Sequence, residues 1–175
     1  MRKPSIATSC DSRNAYARAR EREADRPHAQ GWGGSPCFVD TVETPATSSH
    51  ARAYLITWGQ FEDVVAQENG RATSPVDLQL VDLAAGRSFP LGSGRYENVL
   101  CLGRFDEFPV VTFTSPGTMT QAELGAPSKS YLKTMIAGLR ESHALSDDAI
   151  VGYLGAAPGS SAALAIAALG PHDES

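Results

Sequence analysis

Glu68 is the residue of this sequence whose position most strongly suggests proton-transfer chemistry. It lies in a segment whose apolar residues Phe61, Val64 and Val65 recur at helical spacing. At 100° per residue, Glu68 falls within about 15° of the centre of this apolar face. Desolvation of a carboxyl group there is expected to raise its pKa toward neutrality, where it can accept and return a proton. The spacing predicts an inward-facing general acid/base beside a small cavity. The alternative is a side chain that reaches water from the last turn before Gly70.

The other titratable residues form no recognisable site in the sequence. Glu97 and Glu107 lie in polar, turn-like contexts that are typical of surface acids. No Gly-x-Ser-x-Gly elbow or phosphate-binding glycine loop is present. The histidines and cysteines are scattered, without the spacing of metal ligands or of a disulfide framework: His28, His50, His143, His172, Cys10, Cys37 and Cys101. The sequence therefore predicts no metal site.

The charge balance restricts the class of partner. The 175 residues carry 15 Lys and Arg against 20 Asp and Glu, a net charge of −5. Residues 1–30 hold seven basic and four acidic side chains, a balance of +3, and the remainder carries −8. The acidic total argues against a nucleic acid partner, and no apolar run approaches the roughly 20 residues of a membrane-spanning helix. With no secretory leader pattern, we expect a cytoplasmic protein that binds neither nucleic acid nor a membrane.

Short strands and helices are predicted along the middle of the chain. The strands fall at 37–39, 53–56, 76–83, 99–102 and 110–114. Thr57, Ser128 and Ser146 are predicted N-caps of three helices, the first of which ends at Gly70. Strands that come first, with helices interleaved and then clustered at the end, predict an α+β fold on a largely antiparallel sheet.

Composition divides the chain into three segments. Residues 1–30 contain few large apolar side chains and are expected to form a disordered basic segment. Residues 31–158 hold the predicted folded domain. Residues 159–175, with the alanine-rich stretch 162–169, are expected to form a flexible tail.

Two segments have a distinctive order and spacing. The first is a strand at 53–57, followed by a helix that ends in Gln67-Glu68-x-Gly70. The second is Pro127-Ser128-x-x-Tyr131, which opens an amphipathic helix. Together they resemble the γ-glutamylcyclotransferase-like family over roughly residues 31–158. The resemblance implies a mixed, mostly antiparallel β-barrel-like sheet with surrounding helices.

The resemblance also implies a reaction and three site residues. Glu68 would take a proton from the α-ammonium group of a small γ-glutamyl amine or amide, so that the amine attacks its own γ-carbonyl. It would then protonate the departing amine, and 5-oxoproline would leave. Ring closure supplies the near-attack geometry, so no cofactor is implied. Tyr131 matches a tyrosine that helps hold the substrate, and Phe113 stands where some members carry a substrate-contacting tyrosine.

One family feature is missing from the sequence. The first strand of the family ends in a Tyr-Gly-Ser-Asn loop that binds the substrate carboxylate, and residues 1–30 contain no match. The domain is therefore expected to be incomplete at its N-terminus, as a truncated or mis-started relative or as a divergent member without activity. The alternatives are an inactive binding or interaction domain of the same fold, and an amide hydrolase of the kind labelled histone deacetylase. For that hydrolase, no zinc-binding His/Asp set can be assembled from the sequence.

Overall fold

The computed structural model describes two strands within the first 17 residues and, after them, residues 33–44, 47–72, 84–92 and 94–170. In chain order the strands are β1 (Ser5–Asp11), β2 (Ala15–Ala17), β3 (Cys37–Val39), β4 (Ser48–Tyr54), β5 (Ser88–Pro90), β6 (Asn98–Phe105) and β7 (Phe108–Thr114). The helices are α1 (Trp58–Glu68), α2 (Lys129–His143), α3 (Asp147–Ala156) and α4 (Ala162–Leu169), with a single 3-10 turn at Met119–Gln121.

The chain divides into two compact units. The first comprises Met1–Arg13 and Val39–Thr120, and the second comprises Asn14–Phe38 and Gln121–Ser175. Each unit is therefore built from two separate stretches of the chain.

The first unit contains antiparallel sheets and helix α1. Strands β1 and β4 pair from Ser5 opposite Tyr54 to Asp11 opposite Ser48. Strands β5, β6 and β7 form a three-stranded antiparallel sheet, in which the β6–β7 register shifts between Cys101 and Gly103. Gly103 has a φ of +131°, which a residue with a side chain rarely adopts, so the irregularity uses the freedom of glycine.

Helix α1 begins at the capping box that the sequence predicts. The Thr57 hydroxyl accepts a hydrogen bond from the Gln60 backbone N–H at 3.2 Å, and the Gln60 side chain accepts one from the Thr57 backbone N–H at 3.1 Å. The buried side of α1 packs on the sheet in a cluster of Phe61, Val65 and Val99, with half-buried Trp58, Leu91, Val111 and Phe113 around it.

The second unit has a helical core. Ser128, Ser146 and Ser161 cap helices α2, α3 and α4 through their hydroxyl groups. The buried side chains of these helices form one apolar cluster: Leu132, Ile136, Leu139, Ile150, Leu154, Ala165 and Ala168. A β-carbon added at Gly155 would lie 2.9 Å from the backbone nitrogen and Cα of Ala162, so α3 and the start of α4 approach closely.

The predicted α+β class with antiparallel pairing is confirmed. The described strands form two two-stranded sheets and one three-stranded sheet, and these do not close into a barrel. The barrel-like arrangement is therefore not confirmed. The helix caps at Thr57, Ser128 and Ser146 are confirmed, whereas the predicted strand at 76–83 lies outside the described residues.

The segments expected at the two ends of the chain differ from the structure. Residues 5–11 of the predicted disordered segment form β1 and pair with β4. Residues 162–169 of the predicted flexible tail form α4, whose Ala165 is fully buried. The strand predicted at 53–56 also ends early, because pairing stops at Tyr54 and the next two residues are exposed. No helix in the described residues is both long and apolar enough to cross a membrane.

Candidate functional site

Glu68 is the last residue of α1, and its side chain is exposed. The prediction that it faces the apolar core is wrong. Ala66 is buried, with 2% exposure, whereas Val64 is 40% exposed. The buried face of α1 is therefore rotated by about 60° from the face predicted from Phe61, Val64 and Val65. The exposed carboxylate therefore lacks the desolvation expected from the periodicity.

The turn after α1 has a regular hydrogen-bonded geometry. The Gly70 N–H donates to the Gln67 carbonyl and the Arg71 N–H donates to the Ala66 carbonyl, both at 3.1 Å. Gly70 has a φ of +62°. This pair of bonds and the left-handed glycine form a Schellman motif, which satisfies the last carbonyls of the helix. The predicted stop at Gly70 is confirmed, and the motif fixes the backbone between Glu68 and Arg71.

Glu97 is buried, contrary to the prediction that it is an ordinary surface acid. Its side chain is only 10% exposed and forms an ion pair with the Arg71 guanidinium through Nε. The Gly94 N–H donates to the second carboxylate oxygen at 2.7 Å. A β-carbon at Gly94 would lie 2.8 Å from that oxygen, and one at Gly92 would also collide with the carboxylate. Two glycines therefore leave the space that this carboxylate fills.

Asn69 links the end of α1 to the same loop. Its amide nitrogen donates to the Val65 carbonyl at 2.8 Å, and its amide oxygen accepts from the Tyr96 N–H at 3.1 Å. Together with the Arg71–Glu97 pair, these contacts join the Schellman turn to residues 94–97. We call Asn69, Arg71, Gly94 and Glu97 the polar cluster.

Phe113 is a packing residue in the structure. It lies in β7 with its ring centroid 5.9 Å from that of Phe61 and 6.0 Å from that of Tyr96, the latter edge-on. The half-buried ring packs against the apolar cluster beneath α1. Its proposed contact with a substrate stays a prediction.

Tyr131 lies in the first turn of α2, within the second unit. Its hydroxyl accepts a hydrogen bond from the Cys37 backbone N–H at 3.2 Å. Burial raises the pKa of the Cys37 thiol to about 11, and a hydrogen bond from the Tyr131 side chain opposes part of that rise. Tyr131 therefore joins β3 to α2, and its role with a substrate stays a prediction.

The predicted site residues fall into different units. Glu68 and Phe113 belong to the first unit and Tyr131 to the second. Within the described residues, no group of three or more His, Cys, Asp or Glu side chains is placed to hold a metal ion. Among these residues, the turn that carries the exposed Glu68 carboxylate and the partly exposed Arg71 guanidinium is best suited to bind a ligand and transfer a proton.

Comparison with known proteins gives one partial similarity. Histone deacetylase 5 of Arabidopsis thaliana is 35% identical to this chain over 146 residues, which cover 74% of the chain and 22% of that protein. The chain thus spans about a fifth of the length of the curated relative that it matches. No family model matches the chain. No solved structure matches it.

Proposed function

We propose that this chain cleaves an acyl–amine bond by intramolecular transfer, as a γ-glutamylcyclotransferase-like domain. The observation that carries the proposal is the Schellman turn that ends α1 at Gln67-Glu68-x-Gly70, the segment on which the resemblance rests, with the Glu68 carboxylate at its end. The proposal is also supported by the strand–helix order of β4 and α1 and by the Ser128 cap that opens the Pro-Ser-x-x-Tyr segment.

The proposed reaction needs only proton transfer from the protein. Glu68 accepts a proton from the α-ammonium group of the substrate, and the free amine forms a bond to its own γ-carbonyl carbon. The bond between that carbon and the departing nitrogen then breaks, and Glu68 returns the proton to the leaving amine. Because Glu68 is exposed, we assign most of the rate to the ring-closing geometry, since well-oriented intramolecular reactions gain many orders of magnitude.

The test is product analysis with a matched pair of variants. The full chain is incubated with a panel of γ-glutamyl amines and amides, and 5-oxoproline and free amine are quantified against an enzyme-free blank. We expect equal amounts of the two products. Glu68→Gln is expected to lower the rate about 100-fold, because general acid–base catalysis contributes at least that factor. Glu107→Gln, the same change at an exposed turn residue, is the control.

Two outcomes would contradict this proposal. One is the absence of 5-oxoproline with every substrate. The other is an equal rate in the Glu68→Gln and Glu107→Gln variants, which would remove Glu68 from the reaction. A γ-glutamyl compound that raises the melting temperature without turnover would instead indicate an inactive binding domain.

The similarity to Histone deacetylase 5 favours a second candidate, hydrolysis of an acyl-lysine amide. In that reaction water adds across the acyl–amine bond, and acetate and a free lysine side chain are formed. An acetyl-lysine peptide is therefore included in the same assay with acetate as the readout. Acetate release without 5-oxoproline would favour the hydrolase over the cyclotransferase.

A further inference from the structure

The turn after α1 carries both a carboxylate and a guanidinium side chain. Glu68 and Arg71 are three residues apart across the Schellman turn, whose two backbone hydrogen bonds measure 3.1 Å. Cα atoms three residues apart lie within about 11 Å of each other in any backbone conformation. Both side chains are long enough to reach the same small ligand from that separation.

Arg71 is held in one orientation by the polar cluster. Its Nε donates to the buried Glu97 carboxylate, and its Nη1 donates to the Ala72 carbonyl at 3.1 Å. The side chain is 31% exposed, and no acceptor in the described part of the chain takes the Nη2 hydrogens. A guanidinium has five N–H donors in a fixed plane, so these contacts orient it and leave donors for a ligand.

A γ-glutamyl group carries two charged groups on its α-carbon. The ammonium must lose a proton for ring closure, and the carboxylate remains charged throughout. An arginine already fixed by a buried partner loses little side-chain entropy on binding that carboxylate, and N–H donors with a charged acceptor make strong hydrogen bonds.

We propose that Arg71 binds the α-carboxylate of the substrate while Glu68 faces the α-ammonium group of the same molecule. The inference rests on the proposed cyclotransferase function and specifies how it selects γ-glutamyl compounds. It assigns the recognition of the substrate carboxylate to a residue in the turn that follows Glu68. The partner of Arg71, Glu97, is then a positioning residue that acts through the guanidinium.

The test compares two substrates that differ only in the carboxylate. A γ-glutamyl amide and the 4-aminobutanoyl amide of the same amine both contain the attacking amine and the carbonyl, and they close to 5-oxoproline and 2-pyrrolidinone respectively. Wild type is expected to favour the γ-glutamyl amide by roughly 10- to 100-fold in kcat/KM, the size of one charged hydrogen-bonding contact. The Arg71→Lys variant is expected to lose most of that preference, mainly through KM for the γ-glutamyl amide.

A second variant separates recognition from folding. Arg71→Lys retains a cation for Glu97, and the double variant Arg71→Gln with Glu97→Gln removes both charges, so no buried carboxylate is left unpaired. Arg140→Lys changes the arginine of another ion pair, Arg140 with Asp147, and serves as the control. A purely structural role for Arg71 would lower kcat/KM for both substrates equally and keep the preference of the wild type.

The outcomes distinguish this inference from the proposed function. Equal turnover of both amides by wild type, or an unchanged preference in both Arg71 variants, would overturn the Arg71 assignment and leave the cyclotransferase proposal intact. If wild type shows no turnover, calorimetry with the same two amides decides. If the γ-glutamyl amide binds more tightly than the other amide and Arg71→Lys abolishes this difference, the Arg71 assignment is supported and only the proposed reaction is contradicted. If neither amide binds, both the Arg71 assignment and the proposed reaction are contradicted.

Discussion

The two units of this protein bury different kinds of side chain. The second unit fills its interior with aliphatic groups from three helices. The first unit adds to its apolar cluster a buried carboxylate, which is held by a guanidinium and a backbone N–H. Apolar packing thus fixes the helices of the second unit, whereas directed hydrogen bonds fix a turn and a loop in the first unit.

The two arginine–carboxylate pairs show the same contrast. In Arg71–Glu97 the side chains are 31% and 10% exposed, whereas in Arg140–Asp147 they are 47% and 27% exposed. The second pair joins the end of α2 to the first turn of α3, where water competes for both charges. The carboxylate of the ion pair in the first unit is thus buried, whereas both side chains of the pair in the second unit are more than a quarter exposed.

The largest expected effect is in the core of the second unit. Ile150 is 0% exposed, and we expect Ile150→Ala to lower the free energy of unfolding by about 2–5 kcal/mol, because it removes buried methyl groups and leaves a cavity. Urea unfolding followed by circular dichroism measures the loss. Ile166→Ala on α4 is the matched control, since Ile166 is 58% exposed and its loss is expected to stay within about 0.5 kcal/mol. Similar losses in the two variants would contradict the apolar core described for this unit.

The next effect sharpens the contrast between the ion pairs. Glu97→Ala leaves the Arg71 guanidinium and the Gly94 N–H without their acceptor, and we expect a loss of about 1–3 kcal/mol in the free energy of unfolding. Asp147→Ala breaks the exposed pair and is expected to cost less than about 1 kcal/mol. The measurement is urea unfolding at low and at high salt. If Asp147→Ala cost as much as Glu97→Ala, the two pairs would not differ in the way that their burial indicates.

The smallest effect concerns the Cys37 thiol in the second unit. Burial raises its pKa from 9.0 to about 11, so between these values the unfolded chain has lost a proton that the folded chain retains. The stabilisation from the neutral thiol is therefore complete below pH 9 and is lost as the pH rises toward 11, by about 1 kcal/mol at pH 10. Unfolding curves of wild type and Cys37→Ala from pH 8 to 10.5 measure it. If the difference in the free energy of unfolding between wild type and Cys37→Ala does not change with pH, the thiol is not buried as described.

Local patterns in the sequence were sufficient to predict the helix starts. The capping box at Thr57 and the serine caps at Ser128 and Ser146 depend on residues within one turn of each other, and all are confirmed. The strands predicted at 99–102 and 110–114 lie within β6 and β7, although β6 continues to Phe105 and β7 begins at Phe108.

Features that depend on distant partners could not be predicted in this way. The face of α1 that is buried depends on what covers Ala66, so the inward orientation expected for Glu68 is wrong. The burial of Glu97 depends on its partner, Arg71, which lies 26 residues earlier in the chain, so local sequence predicts a surface acid there. Small side chains give a weak hydrophobic signal, so the sequence predicts a tail where α4 forms, although Ala165 and Ala168 are buried against α2 and α3.

Gly155 limits how far this sequence can vary. A β-carbon there would meet the backbone nitrogen and Cα of Ala162 at 2.9 Å, and backbone atoms cannot swing aside as the end of a long side chain can. Even alanine would require α4 to move away from α3. Glycine at this position is thus a condition for docking the C-terminal helix, imposed by lack of room and independent of any turn conformation.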